Sequence, residues 1–177
     1  MATLIDGLLD YSRLEHRELR LSTLDPQQLI EETLSSMAPG LESAGASVKL
    51  NLASRPVQAD KEGLRIILRN LLDNALKFRS PHRKPEIDIS AHEDATHLVI
   101  AICDNGIGFD AQHREQIFAI FNRLHATGYE GTGIGLALVR KAAQRMQGSV
   151  WADARPDQGA TFFVSLPLAD ALGSNAE

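Results

Sequence analysis

Residues 61–78 constrain the fold more than any other segment. Turning about 100° per residue places Leu64, Leu68, Leu71, Leu72 and Ala75 within an arc of about 100°, with Asn70, Asn74 and Lys77 within about 60° on the opposite side. A helix so divided needs an apolar layer beneath its leucine face. The neighbouring segments supply one. Val48, Leu50 and Leu52 alternate along Ser47 to Leu52, a brief strand surrounds Val57, and further strands are expected at Glu86 to His92, His97 to Cys103, Ser149 to Ala154 and Ala160 to Leu166. Asp25 and Pro26 read as an N-cap followed by proline at the first helical position, opening a helix that is expected to run to about Met37 and end near Pro39 and Gly40. Glu18 to Leu24 alternates like a strand, Arg114 to Leu124 reads as a short helix, and a helix from about Ile134 to Gln147 is expected to end at Gly148. Strands interleaved with amphipathic helices predict an α/β two-layer sandwich, a mixed sheet packed against helices on one face.

The 177 residues suit one compact unit with its own core. A single cysteine, Cys103, excludes an internal disulfide framework and a multi-cysteine zinc site. With 18 basic against 23 acidic side chains and 5% aromatic residues, the chain lacks the basic face of a general nucleic-acid binder, so no nucleic-acid partner is expected. Its apolar runs are too short to span a bilayer, and no secretory leader is recognisable. Residues 3–15 carry Leu4, Ile5, Leu8, Leu9, Tyr11 and Leu14 at helical spacing, a stripe too wide for an isolated surface helix. This segment should pack on a partner or on a missing upstream segment, and the expected division is 1–16 as the end of a longer helix, 17–168 as the main domain and 169–177 as a frayed tail.

Three segments carry chemistry. Asn70, Asn74 and Lys77 share a helix face that is either solvated or built to bind: asparagine costs several tenths of a kcal/mol against alanine in a helix, an amide oxygen ligates magnesium, and a lysine meets phosphate. Asp104-Asn105-Gly106-Ile107-Gly108-Phe109 follows an apolar strand, so Asp104 is either a turn aspartate bonded to its own backbone or an acceptor for a nucleotide base. Gly131-Thr132-Gly133-Ile134-Gly135 opens a helix, where main-chain N–H groups and the helix dipole favour an anion. It is neither a Walker A loop nor a G-x-G-x-x-G fingerprint, because Leu136 stands in the last glycine's place.

Taken together, Asn-Leu-Leu-Asp-Asn-Ala-Leu-Lys-Phe at 70–78, Asp-Asn-Gly-Ile-Gly-Phe at 104–109, Ile-Phe-Ala-Ile-Phe-Asn-Arg at 117–123 and Gly-Thr-Gly-Ile-Gly-Leu at 131–136 stand in the order of the N, G1, F and G2 boxes of sensor histidine kinases. The chain closely resembles their catalytic, ATP-binding domain, the Bergerat fold, from about Leu4 to Leu168. Leu9 to Glu15 resembles the end of the second helix of the dimerisation and phosphotransfer hairpin, and the stretch from Phe121 to Lys141 is similar to the phytochrome-like or PAS-linked branch.

The resemblance implies ATP and Mg²⁺ as cofactors. Asn74 would hold Mg²⁺ with Asn70 in support, Lys77 would reach the phosphates, and Phe78 would pack near the adenine. Asp104 would accept from the adenine amino group in a pocket shaped by Gly106, Ile107 and Gly108, with Thr161 helping through a water. Gly131, Thr132, Gly133, Gly135 and Leu136 would border the triphosphate beneath a lid of roughly residues 109–130, with Phe118 and Phe121 anchoring that lid. Arg123 would contact the γ-phosphate or lie solvated. The implied activity is transfer of the γ-phosphoryl to a histidine on a phosphotransfer hairpin, with a response regulator as the next partner and a homodimer in the full-length protein. The expected setting is the cytoplasm, with a parent protein that is free to be membrane-anchored.

The same fold resembles gyrase, Hsp90 and MutL ATPases, whose N box carries glutamate where this chain has Asn70. An amide cannot accept a proton from water at neutral pH, so transfer to a better nucleophile is favoured over hydrolysis. No acceptor box of the kinase type is recognisable in the sequence. Glu15-His16-Arg17 lacks an acidic residue directly after the histidine, so His16 reads as a surface or structural residue, and the chain by itself is not expected to autophosphorylate. A nucleotide-binding module without chemistry is the competing reading. Finally, seven basic against three acidic residues between Asp60 and Lys84 would focus a field attractive to ATP, or simply form a solvated surface.

Overall fold

The computed structural model describes residues 2–52, 55–122, 124, 129 and 131–170. In chain order, α1 spans Ala2–His16, β1 Leu21–Leu24, α2 Pro26–Ala44, β2 Ser47–Asn51, β3 Val57–Asp60, α3 Lys61–Lys77, β4 Glu86–Glu93, β5 His97–Asp104, α4 Gly135–Arg145, β6 Ser149–Ala154 and β7 Ala160–Pro167. A five-stranded sheet runs in the order β2-β4-β5-β7-β6. Its β2–β4 join is parallel and the others are antiparallel, so the sheet is mixed as the sequence predicts. β1 and β3 stand apart from it as a two-stranded antiparallel ribbon.

Alternation along the strands sends Ile87, Ile89, Leu98, Ile100, Ile102, Phe162, Val164 and Leu166 to one face, where all are buried. α3 answers with Leu64, Ile67, Leu68, Leu71 and Leu72, none more than 1% exposed. At about 25 cal/mol per Å² of apolar surface removed from water, this layer is the main source of stability. The opposite sheet face is partly open, with Trp151 stacked on Phe163 at 5.2 Å between ring centroids.

Asp60, 1% exposed, is a hub at the start of α3. Its Oδ1 accepts from the Gly63 N–H at 2.7 Å and from the Arg17 guanidinium, while Oδ2 accepts from the Arg20 N–H at 3.0 Å. Arg145, at the end of α4, donates to the carbonyls of Leu14 and Arg17. The junction between α1 and β1 is thereby tied to the first turn of α3 and the last of α4. The apolar stripe of α1 divides: Leu14 is buried and Tyr11 packs against the core, whereas Ile5, Leu8 and Leu9 are exposed. Glu15 bonds Lys141 at 2.8 Å, and Gly7 lies so near Ile134 that an added Cβ would come within 2.9 Å of its Cδ1.

Three expectations need correction. α2 continues past Pro39 to Ala44 and ends at Gly45, whose φ of 62° and N–H bonds to Glu42 and Leu41 make a left-handed cap. Pro39 is exposed, so the carbonyl left without its helical donor faces water, and burying Met37 and Leu41 one turn apart outweighs the loss. The helix expected over Arg114 to Leu124 is instead two short 3₁₀ turns, Ala111–His113 and Gln116–Phe118. Ala119 takes an extended backbone, φ −76° and ψ 143°, and Phe121 a left-handed φ of 61°, so no continuous helix runs through this stretch, and the second turn sets Ile117 and Phe118 in the core. α4 stops at Arg145, and the left-handed residue beyond it is Gln147 with φ 59°, not Gly148.

Candidate functional site

α3, the turn after β5, the loop before α4 and the start of β7 surround a cavity of about 350 Å³. Asn70, Asn74, Lys77 and Phe78 line it from α3 and its C-cap, Asp104 and Gly108 from the turn, and Gly131, Thr132, Gly133, Gly135 and Leu136 from the loop and first turn of α4. The polar face of α3 is therefore a cavity wall rather than a solvated surface.

Asp104 stands beside the C-cap of α3. Its Oδ1 accepts from the Gly106 N–H at 2.8 Å and the Ala160 N–H at 3.3 Å, which leaves Oδ2 as the acceptor for a ligand. Burial raises its pKa from 3.8 to about 6, against the opposing pull of those two N–H groups. The turn is pressed between neighbours. The Ile107 N–H donates to the Phe78 carbonyl at 2.9 Å, and Gly108, with φ 60°, sits where a Cβ would overlap the Arg155 carbonyl. Only glycine meets both demands there.

Elsewhere on the cavity wall the chain offers positive charge and N–H groups. α4 opens after Ile134, whose side chain offers no cap, so among the described residues its first-turn N–H groups have no capping side chain where Gly135 and Leu136 line the cavity. Lys77 Nζ lies 4.6 Å from the centroid of the Phe78 ring and against Gly131, where a Cβ would overlap it. Asn70 Nδ2 donates to the Ile66 carbonyl at 2.8 Å, which fixes the amide so that its Oδ1 faces Gly135. An added Cβ on Gly135 would stand 2.7 Å from that oxygen.

Several expected residues do not line the cavity. Gly106 and Ile107 act through their main-chain bonds. Thr161 pairs with Cys103 on β5, and alternation turns Ala160 and Phe162 toward the cavity and Thr161 toward the opposite sheet face. Phe118 is buried, with its ring edge-on to Phe162 at 6.4 Å. Phe121 is 51% exposed and is held through its backbone instead, its N–H donating to the Gly133 carbonyl at 2.9 Å. Arg123 lies outside the described residues. His16 is exposed, with Nδ1 2.9 Å from the Ser12 carbonyl oxygen, and it is no part of the cavity wall.

The structure adds residues that pattern reading passed over. Asp73 lines the cavity beside Asn74; burial raises its pKa, although Arg69 at 3.8 Å opposes this. Its place between the two asparagines was the available signal. Tyr129, in the loop before α4, meets the Phe78 ring at 5.3 Å between centroids, and Asn122 and Leu124 line the same wall. The positive surplus of residues 60–84 is largely engaged: Lys61 and Arg65 reach Glu32, Arg65 also Glu62, and Arg69 Asp73. Among the described residues, no cluster of three or more His, Cys, Asp or Glu side chains could hold a metal, and no helix is long and apolar enough to cross a membrane.

Residues 59–170 match the family described as histidine kinase-, DNA gyrase B- and HSP90-like ATPases. Over 170 residues the chain is 36% identical to the phytochrome-like protein Cph1 of Synechocystis sp., covering 95% of this chain and 22% of that protein. It is 31% identical over 173 residues to the adaptive-response sensory kinase SasA of Gloeothece citriformis, covering 95% and 44%. The chain thus spans about a fifth of the length of the phytochrome-like relatives it matches. Among solved structures, full-length ShkA in complex with AMPPNP superposes with a TM-score of 0.80 at 26% identity, over 94% of this chain and 36% of that one. The mycobacterial sensor histidine kinase MprB shares the fold, with a TM-score of 0.74 at 24% identity over 84% and 97% of the two chains. Four boxes in order, the mixed sheet with its cavity and these matches lead to one conclusion: the chain belongs to the family of histidine kinase-, DNA gyrase B- and HSP90-like ATPases and is homologous to the catalytic domain of sensor histidine kinases.

Proposed function

We propose that this domain binds ATP with Mg²⁺ in the cavity and directs the γ-phosphoryl to a histidine carried by a phosphotransfer hairpin, from which a response regulator receives it. In this reading the full-length protein is a cytoplasmic or membrane-anchored homodimer. One observation carries the reading: a buried carboxylate beside the C-cap of α3, a lysine and an uncapped helix start beside Asn70, two turns back along α3, line one cavity, a set that suits the amino group and the phosphates of one nucleotide.

Asp104 Oδ2 accepts from the adenine amino group, and Phe78 flanks the base. Lys77 and the N–H groups of Gly133, Gly135 and Leu136 hold the phosphates, with Gly131 and Thr132 at the edge. Asn74 and Asn70 present amide oxygens, a donor set suited to a cation that takes its other ligands from phosphate and water, and these residues would hold Mg²⁺. Bound there, the ion neutralises phosphate charge. Nothing in the asparagine pair deprotonates water. A neutral imidazole needs no such base: its ring nitrogen forms the P–N bond as the bond from phosphorus to the ADP oxygen breaks. The chain's contribution is to position the triphosphate and stabilise its charge.

The test adds a separate phosphotransfer hairpin bearing a histidine to the purified chain with labelled ATP. Label on the hairpin, reduced at least tenfold by Asn74→Ala, is expected. A domain that binds ATP and labels nothing would be a silent nucleotide-responsive module.

A further inference from the structure

Arg83 lies in the connection between α3 and β4, away from the cavity wall, yet its guanidinium grips the turn that carries Asp104. Nε donates to the Asn105 carbonyl at 2.7 Å, and Nη2 donates to the carbonyls of Gly106 at 2.8 Å and Asp157 at 2.6 Å. Three segments meet on this one cation: the residues before β4, the turn after β5 and the tip of the β6–β7 hairpin. Neighbouring bonds complete the junction. Asn105 Nδ2 donates to the Lys84 carbonyl at 2.9 Å, its Oδ1 accepts from the Glu86 N–H at 3.0 Å, and the Asp157 N–H donates to the Ile107 carbonyl at 2.7 Å.

Which peptide units Arg83 holds is the informative point. The unit joining Asn105 to Gly106 gives its carbonyl to Arg83 and its N–H to Asp104 Oδ1. The next unit gives its carbonyl to Arg83 and its N–H, on Ile107, to the Phe78 carbonyl. A cation on a carbonyl polarises the amide and strengthens the bond its N–H makes, and charge-assisted bonds of this kind are the strong ones. Arg83 is thus coupled through one peptide plane to the carboxylate, and through the next to the C-cap of α3.

We propose that Arg83 is a positioning residue for nucleobase recognition, fixing the Asp104 carboxylate so that the site favours adenine over guanine. The proposal rests on Asp104 accepting the adenine amino group. Guanine presents a carbonyl at the corresponding position, and a carboxylate held rigidly toward it repels it; a loosened carboxylate discriminates less.

The test is calorimetric titration of the chain, in excess Mg²⁺, with AMPPNP and with GMPPNP, for the wild type, Arg83→Gln, Arg83→Lys and Asp104→Asn. Arg83→Gln is expected to weaken AMPPNP about tenfold, ~1.4 kcal/mol, while GMPPNP changes less than about twofold. Arg83→Lys should recover part of the loss, because an ammonium lacks the fork that reaches three carbonyls. Arg83 is exposed, so the fold should survive, and unchanged circular dichroism and melting temperature would show it. Equal weakening of both nucleotides, or no weakening while Asp104→Asn does weaken AMPPNP, overturns the role of Arg83 alone. An Asp104→Asn variant with wild-type affinity and selectivity overturns the reading of Asp104 itself, and the role of Arg83 with it.

Discussion

Nucleotide affinity should titrate with Asp104. Burial lifts its pKa from 3.8 to about 6, so at pH 5 only about one site in eleven is ionised, against about ten in eleven at pH 7. If only the carboxylate accepts the adenine amino group, affinity for AMPPNP at pH 5 should fall to about a tenth of its neutral plateau. Stability of the empty domain runs the other way. A folded pKa raised above 3.8 means that the native state holds a proton the unfolded chain has lost, so stability falls as pH rises from about 4 to about 6, by roughly 3 kcal/mol at most. Asp104→Asn separates the two effects. The Gly106 and Ala160 N–H groups both point at Oδ1, so the amide oxygen of the variant takes that place and its NH₂ faces the base. The variant should lose adenine affinity about 30-fold or more, lose the difference in pH profile, gain relative affinity for guanine and be more stable when empty at neutral pH. The assay is calorimetry with AMPPNP from pH 5 to 8 on both proteins; titration of the nucleotide's own phosphates is common to both and cancels in the ratio. A wild-type profile parallel to that of Asp104→Asn would refute the reasoning.

Gly135→Ala would set a methyl group 2.7 Å from Asn70 Oδ1, so Mg²⁺-dependent strengthening of nucleotide binding should fall about tenfold with little change in melting temperature. Asp60→Ala removes the cap of α3 and the partner of Arg17, and should cost about 2–4 kcal/mol in urea denaturation. Burial works against the Asp60 charge, but the Gly63 and Arg20 N–H groups and the Arg17 guanidinium hold its pKa below 3.8, so its stabilisation is full above that value and is lost as pH falls through the lower folded pKa. Asp73→Asn should leave slow background ATP hydrolysis within about twofold, since Arg69 and solvent occupy that carboxylate; an abolished rate in a phosphate-release assay would make Asp73 a base for water.

Much of the site was legible because it rests on short-range periodicity. The faces of α3 follow from rotation per residue, the glycines at 106, 108, 131 and 135 stand where an added Cβ would crowd a neighbour, and Gly133 holds a φ of 71°. What escaped depends on contacts distant in sequence. Pro39 argued for a helix end, but burial of Leu41 carried α2 onward. Aromatic residues at 118 and 121 suggested paired anchors, yet a left-handed φ of 61° at Phe121 turns it outward. Thr161 and Ala160 differ only by strand phase, which the register with β5 sets. Arg83 carried no periodic signal, because its partners lie 22, 23 and 74 residues further along the chain.

The central claim is that the cavity is a nucleotide site. Titrating the folded chain with AMPPNP, with and without Mg²⁺, tests it most directly: the account predicts saturable one-to-one binding that Mg²⁺ strengthens and Lys77→Ala weakens. Absence of binding at millimolar nucleotide, in a sample whose circular dichroism shows the fold intact, would contradict it.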